Sequence, residues 1–225
     1  PFCLDTDILI EIIHLIKKYF PQVKNISSFA RADDILKKSK DELLELKRLG
    51  MGELSIGVES GNDDILAFHN KGITREENYR ALIKLEECGI SYSTYIMLGL
   101  GGKRLSKENA TDTASLLSIV NPQVIIVVTL VVFKNAKLVE KIRNGEFERL
   151  SVLDSIKEEK VLLENLDMKN TIFNASHKTN ALILKGKLPE QKDILLNKIN
   201  KALDEYDQRR MRNKEIYRWR NWSLE

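Results

Sequence analysis

The chain has 225 residues, of which 43% are hydrophobic and 31% are charged, and these proportions are ordinary for a globular protein. No apolar run approaches the ~20 residues that a membrane-crossing helix needs, so we expect no membrane partner. The formal net charge of +3 is too small to indicate nucleic-acid binding by itself. Six Lys and Arg residues and one Glu lie between Arg209 and Trp222, so the excess positive charge belongs to this segment.

The two cysteines, Cys3 and Cys88, fall in no CxxC or CxxxCxxC pattern. We expect both to be free thiols, as in a reducing cytosol, and this favours a cytoplasmic protein. The sequence therefore predicts no metal site within this chain.

The first half of the chain alternates predicted strands and predicted helices. Residues 2–4 are interpreted as the end of a strand, and β-branched apolar stretches predict further strands that begin near residues 23, 54, 91 and 124. Helices lie between them, and the spacings Ser39–Glu42 and Thr74–Glu77 are typical of capping boxes. Such βα repetition predicts a parallel sheet or barrel. The apolar run 124–132 is predicted to be a strand buried on both faces.

After residue 135 the predicted strands stop. Residues 138–142, 153–166 and 191–206 have helical patterns, and 174–180 is predicted to be a polar loop. We therefore divide the chain into a barrel-forming domain, 1–135, and a helical C-terminal extension, 136–225, that packs on it.

The stretch from Leu54 to Asn62 carries the main chemical signal. A short buried strand ends on Glu59, Ser60 and Gly61, and a helix begins near Asn62. In parallel α/β folds, ligand-binding groups gather at the carboxyl ends of strands. Glu59 is thus a candidate ligand-binding acid, and the alternative is an acid that only caps the following helix.

Two further features of the sequence are expected to lie at the same edge of the sheet. The glycine-rich turn 99–102 follows a predicted strand and would let backbone approach a ligand, or else is only a tight βα turn. Lys71 and Arg31 could each bind a ligand carboxylate. Alternatively, Lys71 is a solvated loop residue and Arg31 pairs with Asp33 or Asp34.

Several motifs in this order resemble the radical S-adenosylmethionine (SAM) superfamily over roughly residues 1–190. They are the segments 2–7, 29–33, 49–61, 70–74, 88–90, 97–103, 174–180 and 185–189. The resemblance is to an uncharacterised branch related to the oxygen-independent coproporphyrinogen oxidases and the elongator-type tRNA-modifying enzymes. It implies an α/β fold, a partial (β/α)6 TIM-like barrel with parallel strands that lacks its first strand or strands.

The resemblance also implies a reaction. Such enzymes are oxidoreductases that use a [4Fe–4S] cluster to cleave SAM reductively to a 5′-deoxyadenosyl radical, which abstracts hydrogen from a substrate. The frequent Lys, Ile and Asn residues of this chain indicate an AT-rich genome, as in an anaerobe, which would suit an oxygen-sensitive cluster. The implied partners are SAM, an unknown substrate and an electron donor such as ferredoxin or flavodoxin.

The family's functional positions can be carried over onto this sequence. Asp7 would lie near the methionine end of SAM, Glu59 and Ser60 near its ribose or amino group, and Arg31 and Lys71 near its carboxylate. The further SAM-binding candidates are Ser28, Met97, Gly99 and Gly101. His177 and Asn180 would close over the substrate, and the alternative is a loop folded back for structural reasons.

The sequence departs from the family in one respect, because the three cysteines that would hold the cluster are absent. We expect the chain to be part of a longer protein and inactive without the cluster loop. One alternative is a degenerate barrel that serves as a binding module. Another is RNA binding through the basic, aromatic segment 209–222, unless this is a terminal helix that docks its aromatic side chains on the body.

Overall fold

The computed structural model describes the backbone of residues 1–209 and the side chains of residues 1–205. The strands within this range are β1 (Ile26–Ala30), β2 (Met51–Glu59), β3 (Ser91–Leu98), β4 (Val124–Thr129), β5 (Thr171–Ala175) and β6 (Leu184–Leu188). The helices are α1 (Thr6–Tyr19), α2 (Ala32–Lys37), α3 (Lys40–Arg48), α4 (Asp63–Phe68), α5 (Arg75–Glu87), α6 (Ser106–Leu117), α7 (Leu138–Arg143), α8 (Val152–Asn165) and α9 (Lys192–Arg209). None of these described helices is long and apolar enough to cross a membrane. The segment 210–225, on which the RNA hypothesis chiefly rests, lies outside the described residues.

The strands form one sheet in chain order, from β1 at one edge to β6 at the other. Strands β1 to β5 are parallel to their neighbours, and β6 is antiparallel to β5. The predicted α/β fold with an unclosed, mostly parallel sheet is confirmed. Residues 2–4 form a turn and not the end of a strand, so that local prediction was wrong.

One face of the sheet packs on the helices and forms the core. Leu54 and Ile56 of β2, Tyr92 of β3, and Ile125 and Val127 of β4 are all almost fully buried on this side. Because side chains alternate along a strand, the residues between them lie on the opposite face.

The opposite face, here called the open face, is the less buried side of the sheet. It is defined by Phe29, Ser55, Gly57, Tyr95, Met97, Ile126, Val128 and Asn174, which are half-buried or exposed. The prediction that β4 is buried on both faces was therefore wrong, since the described helices pack on the other side.

The predicted helix starts at Ser39 and Thr74 are confirmed by capping boxes with Glu42 and Glu77. The start of α6 has no side-chain cap. Leu105 occupies the N-cap position, and the Ser106 hydroxyl donates to a carboxylate of α8 instead of capping its own helix. The spacing of a serine before a helix did not reveal this tertiary contact.

The segment after residue 135 is not only helical, which corrects the predicted helical extension. Strand β5 pairs in parallel with β4, and β6 continues the sheet beyond it. The sequence of β6, Leu-Lys-Gly-Lys-Leu, has no β-branched residue, so it lacked the composition that predicts a strand. Helix α8 packs beside α6, and α9 packs on α8 and β6. Residues 136–205 thus share the sheet and the core of the preceding segment.

We predict that Gly61→Ala destabilises the fold by about 1–3 kcal/mol through overpacking. A Cβ at Gly61 would lie 2.4 Å from the carbonyl oxygen of Asp112 and 2.7 Å from the Cα of Thr113, both of which are backbone atoms of α6. Urea unfolding measures the loss. Gly57→Ala is the control and should stay within about 0.5 kcal/mol of wild type, because its nearest neighbour is at 3.7 Å. Equal stability of Gly61→Ala and wild type would contradict this close helix–strand contact.

Candidate functional site

The carboxyl ends of β1 to β5 lie at one edge of the sheet because these strands are parallel. Strand β2 pairs directly with β3, so Glu59 at the end of β2 and Gly99 just after β3 share this edge. The sequence predicts that an acid and a glycine turn lie at the same edge of the sheet, and the structure places both at this edge.

Glu59 and Lys71 form an ion pair at this edge. Glu59 ends β2 where the register with β3 shifts, and its φ is 64°, which is uncommon outside glycine. Its side chain lies over the open face, on the same side as Gly57 two residues earlier, and a Cβ at Gly57 would lie 3.7 Å from the Glu59 Oε1. The side chains of Lys71 and Glu59 are 26% and 28% exposed, so a ligand could reach the pair.

Arg31, just after β1, holds the loop that carries Lys71. Its guanidinium donates to the Lys71 carbonyl over 2.9 Å and to Asp33 Oδ1 over 2.9 Å. The pairing with Asp33 is one of the alternatives that the sequence left open. The Arg31 side chain nevertheless remains exposed. Two cations therefore lie at this edge, Arg31 just after β1 and Lys71 beside Glu59 at the end of β2.

His69 is a site residue that the sequence analysis missed. Its Nε2 lies 2.7 Å from the Leu100 carbonyl, so Nε2 carries a proton and donates it to this bond. Burial lowers the pKa of His69, and the ammonium groups of Lys71 and Lys141 lower it further, against the opposing effect of the Leu100 carbonyl. The loop 69–72 thus contacts residues that follow β1, β2 and β3. No local sequence signal shows where this ring points.

An aromatic pair on the open face was also missed. The rings of Phe29 on β1 and Tyr95 on β3 have centroids 5.9 Å apart, although one strand separates them. Phe29 pairs with Ser55 and Tyr95 pairs with Gly57, so both rings lie on the same face of the sheet on either side of β2. Met97 lies one alternate position further along the same face. The two-residue period of β1 and β3 would have revealed this surface if the exposed positions had been read as well as the buried ones.

Two of the serines named as SAM-binding candidates point away from the open face. Ser28 pairs with Leu54, so it belongs to the helix-covered side of the sheet. Ser60 is fully buried, and its hydroxyl donates to Asn109 Oδ1 over 2.6 Å. Neither side chain is placed to contact a ligand on the open face in this structure. The alternation that puts Phe29 and Glu59 on the open face puts their neighbours Ser28 and Ser60 on the other side.

The three glycines of the turn 99–102 are accounted for by internal contacts. Gly99 and Gly102 have φ values of 79° and 58°, which L side chains rarely adopt. A Cβ at Gly101 would lie 2.5 Å from the Leu105 carbonyl oxygen. The tight βα turn, given above as the alternative, therefore explains these glycines without a ligand, while the turn still borders the candidate site.

Helix α8 carries two buried acids, and the first of them, Glu158, contacts this turn. Glu158 is 2% exposed and accepts hydrogen bonds from the Gly99 N–H and from Asn109 Nδ2, each over 2.8 Å. Burial raises the pKa of Glu158, although its three donors oppose this shift. Glu159 is 1% exposed, and its Oε1 has no hydrogen-bond partner among the described residues. Burial raises the pKa of Glu159 to about 8.

The two candidate substrate residues have different environments. His177 is exposed in the loop after β5, and its Nδ1 lies 2.8 Å from the Thr179 hydroxyl. Asn180 is nearly buried, and its Nδ2 donates to the carbonyls of Val127 and Ala175 while its Oδ1 accepts from Thr129. Asn180 thus holds the loop on β4 and β5 by hydrogen bonds, whereas the His177 side chain is exposed to solvent.

Asp7 has no polar contact with the Glu59–Lys71 ion pair among the described residues. It is exposed in the first turn of α1, next to Thr6, which bonds Glu42 and Lys38 in the helical layer. Within residues 1–205, Asp7 makes no hydrogen bond or ion pair with Arg31, Glu59 or Lys71.

The thiols of the chain have different surroundings, because Cys3 is exposed and Cys88 is buried. Burial raises the pKa of the Cys88 thiol. The described residues contain no group of three or more His, Cys, Asp or Glu side chains that could hold a metal ion. The side chains present here therefore do not fit a [4Fe–4S] cluster.

Residues 2–114 match the family model of the radical SAM superfamily. The chain belongs to this superfamily. The uncharacterized protein MJ0486 of Methanocaldococcus jannaschii is 28% identical over 132 residues, which are 58% of this chain and 40% of that protein.

Two solved structures have similar folds. Methanocaldococcus infernus Elp3 lacking residues 1–46 has a TM-score of 0.55 at 17% identity and covers 79% of this chain and 42% of its own. Methylornithine synthase (PylB) has a TM-score of 0.55 at 14% identity and covers 87% of this chain and 50% of its own. At these identities the likeness concerns the fold alone. The radical SAM chain described here spans half or less of the length of these relatives.

We predict that Glu159→Gln changes how stability depends on pH. Between pH 5 and 8 the unfolded chain releases the Glu159 proton while the folded chain keeps it, because burial raises the pKa from 4.5 to about 8. The free energy of unfolding of wild type therefore falls by up to about 1.4 kcal/mol per pH unit from this group. Glutamine does not titrate, so the variant should gain stability relative to wild type as the pH rises.

Urea unfolding of both proteins at pH 5, 6.5 and 8 measures this difference. Glu164→Gln on the same helix is the control, because Glu164 is solvent-exposed. Parallel pH dependence of wild type and Glu159→Gln would contradict the raised pKa.

Proposed function

We propose that this chain forms the SAM-binding part of a radical SAM enzyme, with the adenosyl and methionine groups at the carboxyl edge of β1, β2 and β3. The observation that carries the proposal is the accessible Glu59–Lys71 ion pair beside Arg31, at the edge of a sheet whose sequence matches the family. SAM carries an ammonium, a carboxylate and two ribose hydroxyls. An acid and two cations at one place are chemically complementary to these groups.

Each of these side chains would take a distinct part in binding. The Glu59 carboxylate, next to Lys71, is suited to accept hydrogen bonds from the ribose hydroxyls or the ammonium of SAM. Lys71 and Arg31 are suited to attract its carboxylate. Arg31 also fixes the Lys71 backbone, so the cation is held in place before the ligand arrives.

The open face next to this cluster offers an apolar surface for the reaction. Phe29, Tyr95 and Met97 would exclude water and contact the adenine or the substrate. His177, exposed beyond β5, is the proposed polar contact to the substrate. Asn180 would contribute indirectly by holding that loop on β4 and β5.

A [4Fe–4S] cluster would supply the electron for the reductive cleavage of SAM, and none of the described side chains would hold it. Its thiolate ligands are not present as a triplet in this sequence, so we propose that they lie outside these 225 residues. A ferredoxin or flavodoxin is the proposed electron donor. A reducing, cytoplasmic compartment would suit both the cluster and free thiols.

The second candidate is a barrel that binds its ligand without cleaving it. This sequence has two cysteines, one exposed and one buried, and no cysteine triplet that could bind a cluster. Their number favours the second candidate. The two functions share the SAM-binding edge and differ in whether SAM is consumed.

We predict that Lys71→Met weakens SAM binding to this chain about tenfold, because a charge-assisted contact to the carboxylate is lost. Glu59→Gln should weaken it by a smaller factor, since the amide still accepts a hydrogen bond. Isothermal titration calorimetry with SAM measures both. Glu45→Gln is the matched control, because it breaks the exposed Glu45–Arg48 ion pair on α3. Equal affinity of Lys71→Met and wild type would count against the proposed site.

The reaction itself is tested on the longer protein of which we propose this chain to be a part. After anaerobic reconstitution with iron and sulfide and reduction, we expect 5′-deoxyadenosine to form from SAM, measured by liquid chromatography. A protein that takes up iron and binds SAM but forms no 5′-deoxyadenosine would instead support the binding module.

A further inference from the structure

Glu158 lies behind the glycine turn and is bonded to it directly. It comes from α8, beyond the residues that match the family model, and is 2% exposed. Its Oε1 accepts the Gly99 N–H over 2.8 Å, and its Oε2 accepts the Ser106 hydroxyl. A buried carboxylate is costly unless several donors surround it, so these bonds hold both partners firmly.

The peptide between Leu98 and Gly99 is fixed on both sides. Glu158 accepts its N–H, and the Leu130 N–H donates to its carbonyl over 2.9 Å. Gly99 then enters the left-handed region with a φ of 79°. The direction of the turn at the end of β3 therefore depends on how this one peptide plane is held.

A second branch of the same network reaches β2. Asn109 Nδ2 donates to Glu158 Oε1 over 2.8 Å and to the Met97 carbonyl over 3.0 Å. Asn109 Oδ1 accepts from Ser60 Oγ over 2.6 Å, and Ser60 Oγ accepts the Asn62 N–H over 3.2 Å. A continuous chain of hydrogen bonds thus joins α8 to the ends of β3 and β2.

We propose that Glu158 is a positioning residue for the SAM site, and this inference rests on the proposed function of that edge. It does not touch the ligand. It holds the backbone of residues 97–99 and, through Asn109 and Ser60, the end of β2 next to Glu59. The two strand ends that would contact SAM are thereby kept in one arrangement before binding.

The neighbouring acid offers a matched control. Glu159 lies on the same helix and is 1% exposed, but its Oε1 has no partner within the described residues. Truncating Glu159 therefore disturbs the packing of α8 without releasing the turn.

The experiment compares Glu158→Ala, Glu158→Asp, Glu158→Gln and Glu159→Ala with wild type. The first measurement is made without ligand and gives the chemical shift and the hydrogen-exchange rate of the Gly99 amide from ¹H–¹⁵N NMR spectra. The second is SAM affinity by calorimetry. We expect Glu158→Ala to shift and expose the Gly99 amide and to weaken SAM binding about tenfold.

The conservative variants separate positioning from general stability. Glu158→Gln keeps an acceptor for Gly99 and should retain most of the affinity, whereas Glu158→Asp is too short to reach both partners and should be intermediate. Glu158→Asp also serves if Glu158→Ala does not fold. Glu159→Ala should bind SAM within about twofold of wild type even where it unfolds at lower urea concentration.

Equal losses of affinity in Glu158→Ala and Glu159→Ala would overturn the inference, because the effect would then be one of stability. So would an unchanged Gly99 amide in Glu158→Ala. A wild-type chain that binds no SAM would overturn the proposed function instead. The Gly99 amide, measured without ligand, would then still decide whether Glu158 holds the turn.

Discussion

The parallel pairing of β2 with β3 is the constraint on which the candidate site depends. It puts the carboxyl ends of adjacent strands side by side, so Glu59 and the glycine turn meet although about forty residues separate them in the chain. Glu59 follows Gly57 by two residues, so the alternation of the strand puts the acid over the open face, where Lys71 pairs with it.

Buried polar groups stabilise this edge from behind. Glu158 and Asn109 place their hydrogen bonds on backbone groups at the ends of β3 and on the Ser60 hydroxyl at the end of β2. Such bonds are directional, and an unsatisfied buried partner is costly, so they fix one geometry more sharply than apolar packing does. The free-energy cost of burying polar groups is thus concentrated at the ends of β2 and β3, where a ligand would need a rigid surface.

The sheet divides its two faces between stability and chemistry. The helix-covered face carries the apolar core, and the open face carries an aromatic pair, a methionine and the ion pair at its edge. Because α8 and the strands β5 and β6 belong to the same sheet and core, the later part of the chain takes part in forming this arrangement. The match to the radical SAM superfamily covers only the earlier part, 2–114.

Local patterns in the sequence determined the α/β class, the parallel order of the first strands and the capping boxes at Ser39 and Thr74, because each depends on neighbours a few residues away. They also indicated Glu59 at the end of a strand, Arg31 just after a strand and Lys71 just before a capped helix. Tertiary structure decided which face of the sheet the helices cover, and therefore that Ser28 and Ser60 lie on the covered side. It likewise decided that His69 turns to Leu100, that β6 completes the sheet, and that Glu158 holds Gly99. Those contacts join residues 31 to 59 positions apart, or rest on pairing with a neighbouring strand, and no local periodicity records them.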